Sequence, residues 1–228
     1  EAWSDAQAQA VASQAHVSGA SLLAGLDLVL GGANAAVHSA LVAAVTNAAS
    51  AADAAQTIVT IAAARHLSAE ATLVTLDRSV GGNAAIEAVM NARFTSGAAV
   101  ADLAALVKNK TMTADQATAT LNSALTQSHA SALDTLVQKD GLRLALNQMG
   151  SAAAITEVEN FATANNLSID QALVKLAAVA PADSAVLAEQ GRRINGYGAF
   201  LDLYDRVAAH SMTQADALAV LTAAGGRC

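Results

Sequence analysis

The sequence predicts an all-α fold, built as a right-handed, solenoid-like array of helical repeats. Three observations support this prediction: the chain is rich in alanine, it contains a single proline, and one phrase recurs along it. Alanine has the highest helix propensity because its side chain loses no rotamer entropy in a helix. With only Pro181 to interrupt them, long tracts are free to be helical. A globular multi-helix bundle is the alternative arrangement of the same helices.

The recurring phrase has an apolar residue, then serine or threonine, then a leucine eight residues after that hydroxyl residue. Its five copies are VSGASLLAGL, LSAEATLVTL, MTADQATATL, LSIDQALVKL and MTQADALAVL, which begin at Val17, Leu67, Met112, Leu167 and Met212. A serine or threonine N-cap accepts a hydrogen bond from a free N–H of the first turn. The leucine lies two turns further on, where an amphipathic helix is buried. Each phrase therefore predicts the start of a helix, named helix A.

Two more helices fit between successive phrases. Helix C ends just before each phrase, and helix B begins after caps that we predict at Asn34, Asn83, Ser128 and Asp183. The chain then divides into a leading helix at 4–15, four three-helix units at 17–66, 67–111, 112–166 and 167–211, and a closing helix at 213–224. A period of 45–55 residues is typical of stacked helical repeats. We expect residues 1–228 to form a single helical-repeat domain.

Charge and cysteine content exclude several classes of function. The net charge is −7 and charged residues make up 14% of the chain, so the basic surface that nucleic-acid binding needs is not expected. Cys228 is the one cysteine, which leaves no internal disulfide and no cysteine-based zinc site. The apolar stretch at 22–45 contains Asp27 and His38 and a Gly-Gly break, which favour packed helices over a membrane span.

Candidate catalytic groups are sparse. His16, His66 and His210 recur just before helix A, which favours a role at helix ends over metal binding. The sequence has no Gly-x-Ser-x-Gly elbow and no glycine-rich phosphate loop followed by Lys-Ser/Thr. We therefore expect no cofactor and no metal. A pair of carboxylates at Asp202 and Asp205, on one helix face, is the alternative that would suit acid–base catalysis.

The most unusual stretch is GRRINGYGAFLDLYDR, at 191–206, which contains both tyrosines of the chain. Tyrosine and arginine are enriched at the energetic centres of protein interfaces. The residues expected to bind a partner are Arg192, Arg193, Tyr197, Asp202, Tyr204 and Arg206. The alternative is that this stripe packs in the core, with Phe200 and Leu203 at core positions shared with other repeats.

These observations predict a non-enzymatic, acidic helical-repeat protein that acts as a scaffold and binds another macromolecule, expected to be a protein. The alanine bias and the start at Glu1 without methionine favour a fragment of a larger bacterial secreted, surface or effector protein. One alternative is an enzyme with its site between repeats, around residues 192–206. The other is a membrane-active helical protein.

Overall fold

The computed structural model describes residues 51–64, 66–79, 82–181 and 183–225. This part of the chain is all-helical, without strands, so the all-α prediction is confirmed. Its helices are α1 (Ala51–Ala64), α2 (Ala69–Ser79), α3 (Ala84–Thr95), α4 (Ala98–Lys108), α5 (Ala114–Gln127), α6 (Ala132–Ala145), α7 (Ser151–Ala164), α8 (Ile169–Val179), α9 (Ser184–Asn195), α10 (Gly198–Ala208) and α11 (Gln214–Gly225).

These helices follow the predicted A, B, C order. Helices α2, α5, α8 and α11 are helices A, α3, α6 and α9 are helices B, and α1, α4, α7 and α10 are helices C. Helices pack against neighbours in sequence order, as in an array or a bundle. The right-handed sense of an array and the single domain stay predictions. The leading helix, the first phrase at Val17, the cap at Asn34 and the stretch at 22–45 lie outside the described residues.

Each described copy of the phrase starts its helix with a hydroxyl cap. The Ser68 and Ser168 Oγ atoms accept from the third N–H after them, at 3.1 Å and 3.2 Å. Thr213 Oγ1 does the same at 3.1 Å. At Thr113 the capping is reciprocal, because the side chain of Gln116 also accepts from the Thr113 N–H at 2.9 Å. The phrase is therefore a helix-start signal at all four positions.

The phrase leucines point into the core. Leu76, Leu121 and Leu176 are buried, whereas Leu221 is half-buried beside the small cluster around Leu203. Leu26, the leucine of the first phrase, lies outside the described residues. The period of the phrase therefore marks the buried side of helices A.

One predicted cap is wrong. Ser128 is the C-cap of α5, and its N–H still donates to Ala124 O. Its backbone is in the right-handed helical region, whereas an N-cap residue takes an extended conformation. The cap of α6 is Ser131, whose Oγ accepts from Asp134 N at 3.1 Å. The caps at Asn83 and Asp183 are confirmed.

Helices C end in a left-handed turn just before the next phrase. The residue in the left-handed region is His66, Lys110, Asn166 or His210, with φ between 53° and 60°. The following N–H then donates back to a carbonyl five residues earlier, as in Leu67 N to Ala62 O at 2.9 Å. His66 and His210 thus serve as helix-terminating residues through their backbones.

The chain divides into two compact units, one of residues 1–94 and 102–130, the other of 95–101 and 131–228. In the first unit α2 packs against α1 and α5. In the second unit α8 is central, because it contacts α6, α7, α9, α10 and α11. The larger core side chains of the second unit include Val137, Leu142, Val158, Leu173, Leu176, Val186 and Leu203.

Candidate functional site

The six predicted site residues fall into two groups in the second unit. Arg193, Asp202 and Arg206 are held in hydrogen-bonded ion pairs within the fold. Arg192, Tyr197 and Tyr204 are exposed on its surface. The structure therefore separates residues that build the site from residues that are accessible to a partner.

Arg193 belongs to the fold. From the last turn of α9 it donates two hydrogen bonds to Asp170, in the first turn of α8, at 2.8 Å and 2.7 Å. This paired geometry raises the pKa of Arg193, and the Asp170 side chain is only 4% exposed. The guanidinium holds helices A and B of the fourth repeat together.

Asp202 and Arg206 tie α10 to the turn that precedes α8. Asp202 accepts from the cap hydroxyl of Ser168 at 2.7 Å and from Arg206 Nε at 2.9 Å. Arg206 also donates to the carbonyls of Asn166 and Leu167, at 2.8 Å and 2.6 Å. These carbonyls belong to the turn between α7 and α8, so Arg206 satisfies backbone acceptors that lie outside both helices.

A matching ion-pair set occurs in the first unit, at positions 100 residues earlier in the chain. Arg93 Nε donates to Glu70 at 2.7 Å, and the guanidinium also bonds Asp102. Glu70 is 1% exposed, and burial raises its pKa while Arg93 acts in the opposite sense. In the second set Asp202 bonds Ser168 and Arg206 instead of bonding the arginine of helix B.

The Glu70–Arg93 and Asp170–Arg193 pairs were not predicted from the sequence. Their signal was present in the sequence, since the second and fourth phrases begin 100 residues apart, as do the third and fifth. An arginine in helix B and an acidic residue in helix A keep that same offset. The two members of each pair are 23 residues apart, so a search for oppositely charged residues close together in the sequence does not find them.

The outer face of α10 carries an apolar stripe, defined as Tyr197, Phe200, Leu201 and Tyr204. Tyr197 is 70% exposed, Leu201 63% and Tyr204 71%. The rings of Tyr197 and Phe200 lie 6.1 Å apart between centroids. Spacings of i, i+3 and i+4 place Phe200, Leu201 and Tyr204 on one face of α10, and Tyr197 immediately precedes the helix as its N-cap.

Phe200 is 45% exposed, so the expectation that it fills a core position is wrong. The same expectation is right for Leu203, which is buried on the opposite face of α10 together with Ala199. Helix α10 is therefore apolar on two faces. A helix with apolar side chains around most of its circumference is usually covered on more than one side.

One exposed charge borders the stripe. Asp205 is exposed and lies one turn beyond Leu201 on the same face of the helix. Arg192 is exposed at the end of α9 and donates to Glu189 at 2.7 Å. The two carboxylates of α10 differ in their surroundings. Both oxygens of Asp202 are bonded within the fold, whereas Asp205 is exposed.

Membrane spans and metal sites are both absent from the part of the chain that the structure describes. There, no helix combines the length and the apolar character needed to cross a membrane. Among the same residues, no group of three histidine, cysteine, aspartate or glutamate side chains is placed to hold a metal ion.

Comparisons of the chain with protein-family models, with curated proteins and with solved structures find no match.

Proposed function

We propose that the chain is a non-enzymatic helical-repeat protein that binds a protein partner through the stripe of α10. The observation that supports this proposal is the exposure of Phe200, Leu201 and Tyr204 on one face of α10, together with Tyr197 at the start of that helix. These four are among the five large apolar side chains that are exposed in the described part of the chain. Tyrosine is among the residue types that dominate binding energy at interfaces.

The size of the stripe suits the centre of an interface. From the exposed fractions, its four side chains present on the order of 400–500 Å² of accessible surface. The largest apolar patch of a typical monomer is about 300–600 Å² and is often functional. A standard interface buries about 800 Å² per partner, so neighbouring polar groups must complete the contact.

The ion pairs beneath the stripe support the same proposal. Arg206 and Asp202 anchor α10 to the turn before α8, and Arg193 anchors α9 to α8. A surface that is held in place before binding loses little conformational entropy when a partner docks. In this proposal the buried charges act as a scaffold for the exposed rings, within a bacterial secreted, surface or effector protein.

A capture experiment tests the proposal. The full chain is immobilised beside a variant carrying Tyr197→Ser, Phe200→Ser and Tyr204→Ser, and proteins retained from a lysate of the source cells are quantified. We expect at least one protein to be retained by the parent chain and lost from the triple variant. Leu218→Ser is the matched control, since Leu218 is exposed on α11 outside the stripe.

The proposal fails if the triple variant retains the same proteins as the parent chain. Circular dichroism and thermal unfolding of each variant separate loss of binding from loss of fold. Because the substituted side chains are largely exposed, we expect all variants to keep the helical signal of the parent.

A further inference from the structure

Part of the stripe has a covered counterpart in the second unit. Gly97, Val100 and Ala101 lie 100 residues before Tyr197, Phe200 and Leu201, at the start of α4. Val100 is 1% exposed, whereas Phe200 is 45% exposed. Gly97 is buried as well, whereas Ala101, the counterpart of Leu201, is exposed, so only the part of the counterpart around Gly97 and Val100 is covered.

The end of a helix covers that counterpart. A Cβ atom placed on Gly97 would lie 2.4 Å from Ala178 O and 3.0 Å from Val179 Cα, at the end of α8. Val100 and Val179 also line one crevice together with Leu144 of α6. The part of the counterpart around Gly97 and Val100 is therefore covered by the end of α8, with α6 beside it.

The side chain of Tyr197 prevents a helix end from approaching the stripe as closely as the end of α8 approaches Gly97. Gly97 and Tyr197 are both in the left-handed region, at φ 75° and φ 60°, so their backbones turn alike. The close approach of Ala178 O needs the absence of a Cβ at Gly97, and Tyr197 has a full side chain there. A helix that covers the stripe must stand further away and pack its side chains between the rings.

The charge around the stripe favours a basic partner over a second copy of this chain. Asp202 is paired with Arg206 within the fold, so these two residues add no net charge beside the stripe. Asp205 borders the stripe and is exposed. The whole chain has a net charge of −7, so a second copy would meet like charge, whereas a basic partner gains favourable attraction.

We infer that the stripe docks an amphipathic α-helix of another protein, whose apolar face is flanked by lysine or arginine. This inference rests on the proposed function, namely that the stripe binds protein. Apolar side chains at i, i+3, i+4 and i+7 of the partner helix pack among the rings of Tyr197, Phe200 and Tyr204. A basic side chain beside that face lies against Asp205.

Binding of a defined probe tests the inference. The probe is a fluorescein-labelled helical peptide of roughly 18 residues, with leucine at i, i+3, i+4 and i+7 and lysine on both flanks. Its twin has glutamate in place of each lysine. Fluorescence anisotropy with the full chain measures both affinities at low and at physiological salt.

We expect the lysine peptide to bind at least about tenfold more tightly than the glutamate peptide, with an affinity that falls as salt rises. The triple variant Tyr197→Ser, Phe200→Ser, Tyr204→Ser should weaken binding by at least about tenfold although it keeps every charge. Asp205→Asn should weaken it several-fold, and Leu218→Ser should leave it unchanged. The triple variant thus distinguishes docking on the stripe from general attraction to an acidic chain.

Three outcomes overturn the inference. Equal affinity for the two peptides, or an unchanged affinity after Asp205→Asn, would contradict the basic flank of the partner helix. If binding still depends on the stripe in that case, the proposed function stands. Binding that the triple variant does not weaken removes the stripe as the docking site. A dimer of the parent chain in size-exclusion chromatography with light scattering, lost in the triple variant, identifies a second copy as the occupant.

Discussion

Arg193 in the last turn of α9 and Asp170 in the first turn of α8 form a two-bond salt bridge, with donor–acceptor distances of 2.8 Å and 2.7 Å. Arg93 and Glu70 are joined over the same separation of 23 residues in the first unit. A charge pair that links helices A and B is therefore part of the construction of two repeats. Removing one partner leaves a buried charge without compensation.

Arg193→Ala is expected to destabilise the chain by about 3–5 kcal/mol, because Asp170 then remains buried and unpaired. Urea unfolding followed by circular dichroism measures the change. The neighbouring Arg192→Ala is the matched control, since Arg192 is exposed and pairs only with Glu189 at the surface. Equal effects of the two substitutions would contradict a structural role for Arg193.

Asp140→Asn is expected to stabilise the chain at neutral pH. Burial raises the pKa of Asp140 from 3.8 to about 6, the charge of Glu157 adds to this, and Arg143 opposes it. The folded state thus favours the protonated acid, so this group's contribution to stability is full below pH 3.8 and is lost as pH rises to about 6.

At pH 7.5 the asparagine variant should therefore be more stable than the parent by roughly 1–3 kcal/mol. The difference should vanish near pH 3.5, where both side chains are neutral. Thermal unfolding across this range is the measurement, and Asp205→Asn, at an exposed position, is the control. A constant difference between the variant and the parent at every pH would show that packing, and not ionisation, governs the effect.

Gly97→Ala is expected to destabilise the second unit by about 1–3 kcal/mol. The residue has φ 75°, a conformation that side chains with a Cβ rarely adopt, and the new Cβ would meet the backbone of Ala178. Gly225→Ala serves as the control, because its Cβ would meet nothing within 4 Å and alanine favours the helix. Chemical denaturation compares the two. No loss of stability in the Gly97 variant would exclude the close packing of α8 on this turn.

Ser168→Ala is expected to reduce stability more than Thr213→Ala. Both remove a helix cap, which contributes about 1 kcal/mol. Ser168 is also buried and donates to the half-buried Asp202 at 2.7 Å, whereas the matching bond from Thr213 to Asp216, at 2.6 Å, is exposed to solvent. Urea midpoints of the two variants give the comparison, and equal shifts would show that the bond to Asp202 stabilises the fold no more than the exposed bond to Asp216.

Local signals in the sequence were enough to predict the helices. The hydroxyl at Ser168, the leucine at Leu176 and the capping partner at Gln116 act within two turns of their own helix, so their spacing can be read directly. The prediction at Ser128 was wrong because several serines stand close together there, and only the backbone conformation decides which one caps α6.

The candidate site depended on contacts that are distant in the chain. Arg193, Asp202 and Arg206 looked like binding residues by type, yet each bonds a partner that lies in another helix or turn. Phe200 looked like a core residue by repeat position, yet it is largely exposed. Residue type and period cannot show which neighbour covers a given face.

The sequence by itself determined that this chain is helical, where its helices A begin and which of their leucines are buried. Those properties follow from propensity, capping and period, which act over a few residues. Only the tertiary structure decided that Arg193 pairs with Asp170 while Tyr197 and Tyr204 remain on the surface. Pairing and exposure depend on which helices pack together, and that packing joins residues from 23 to 40 positions apart.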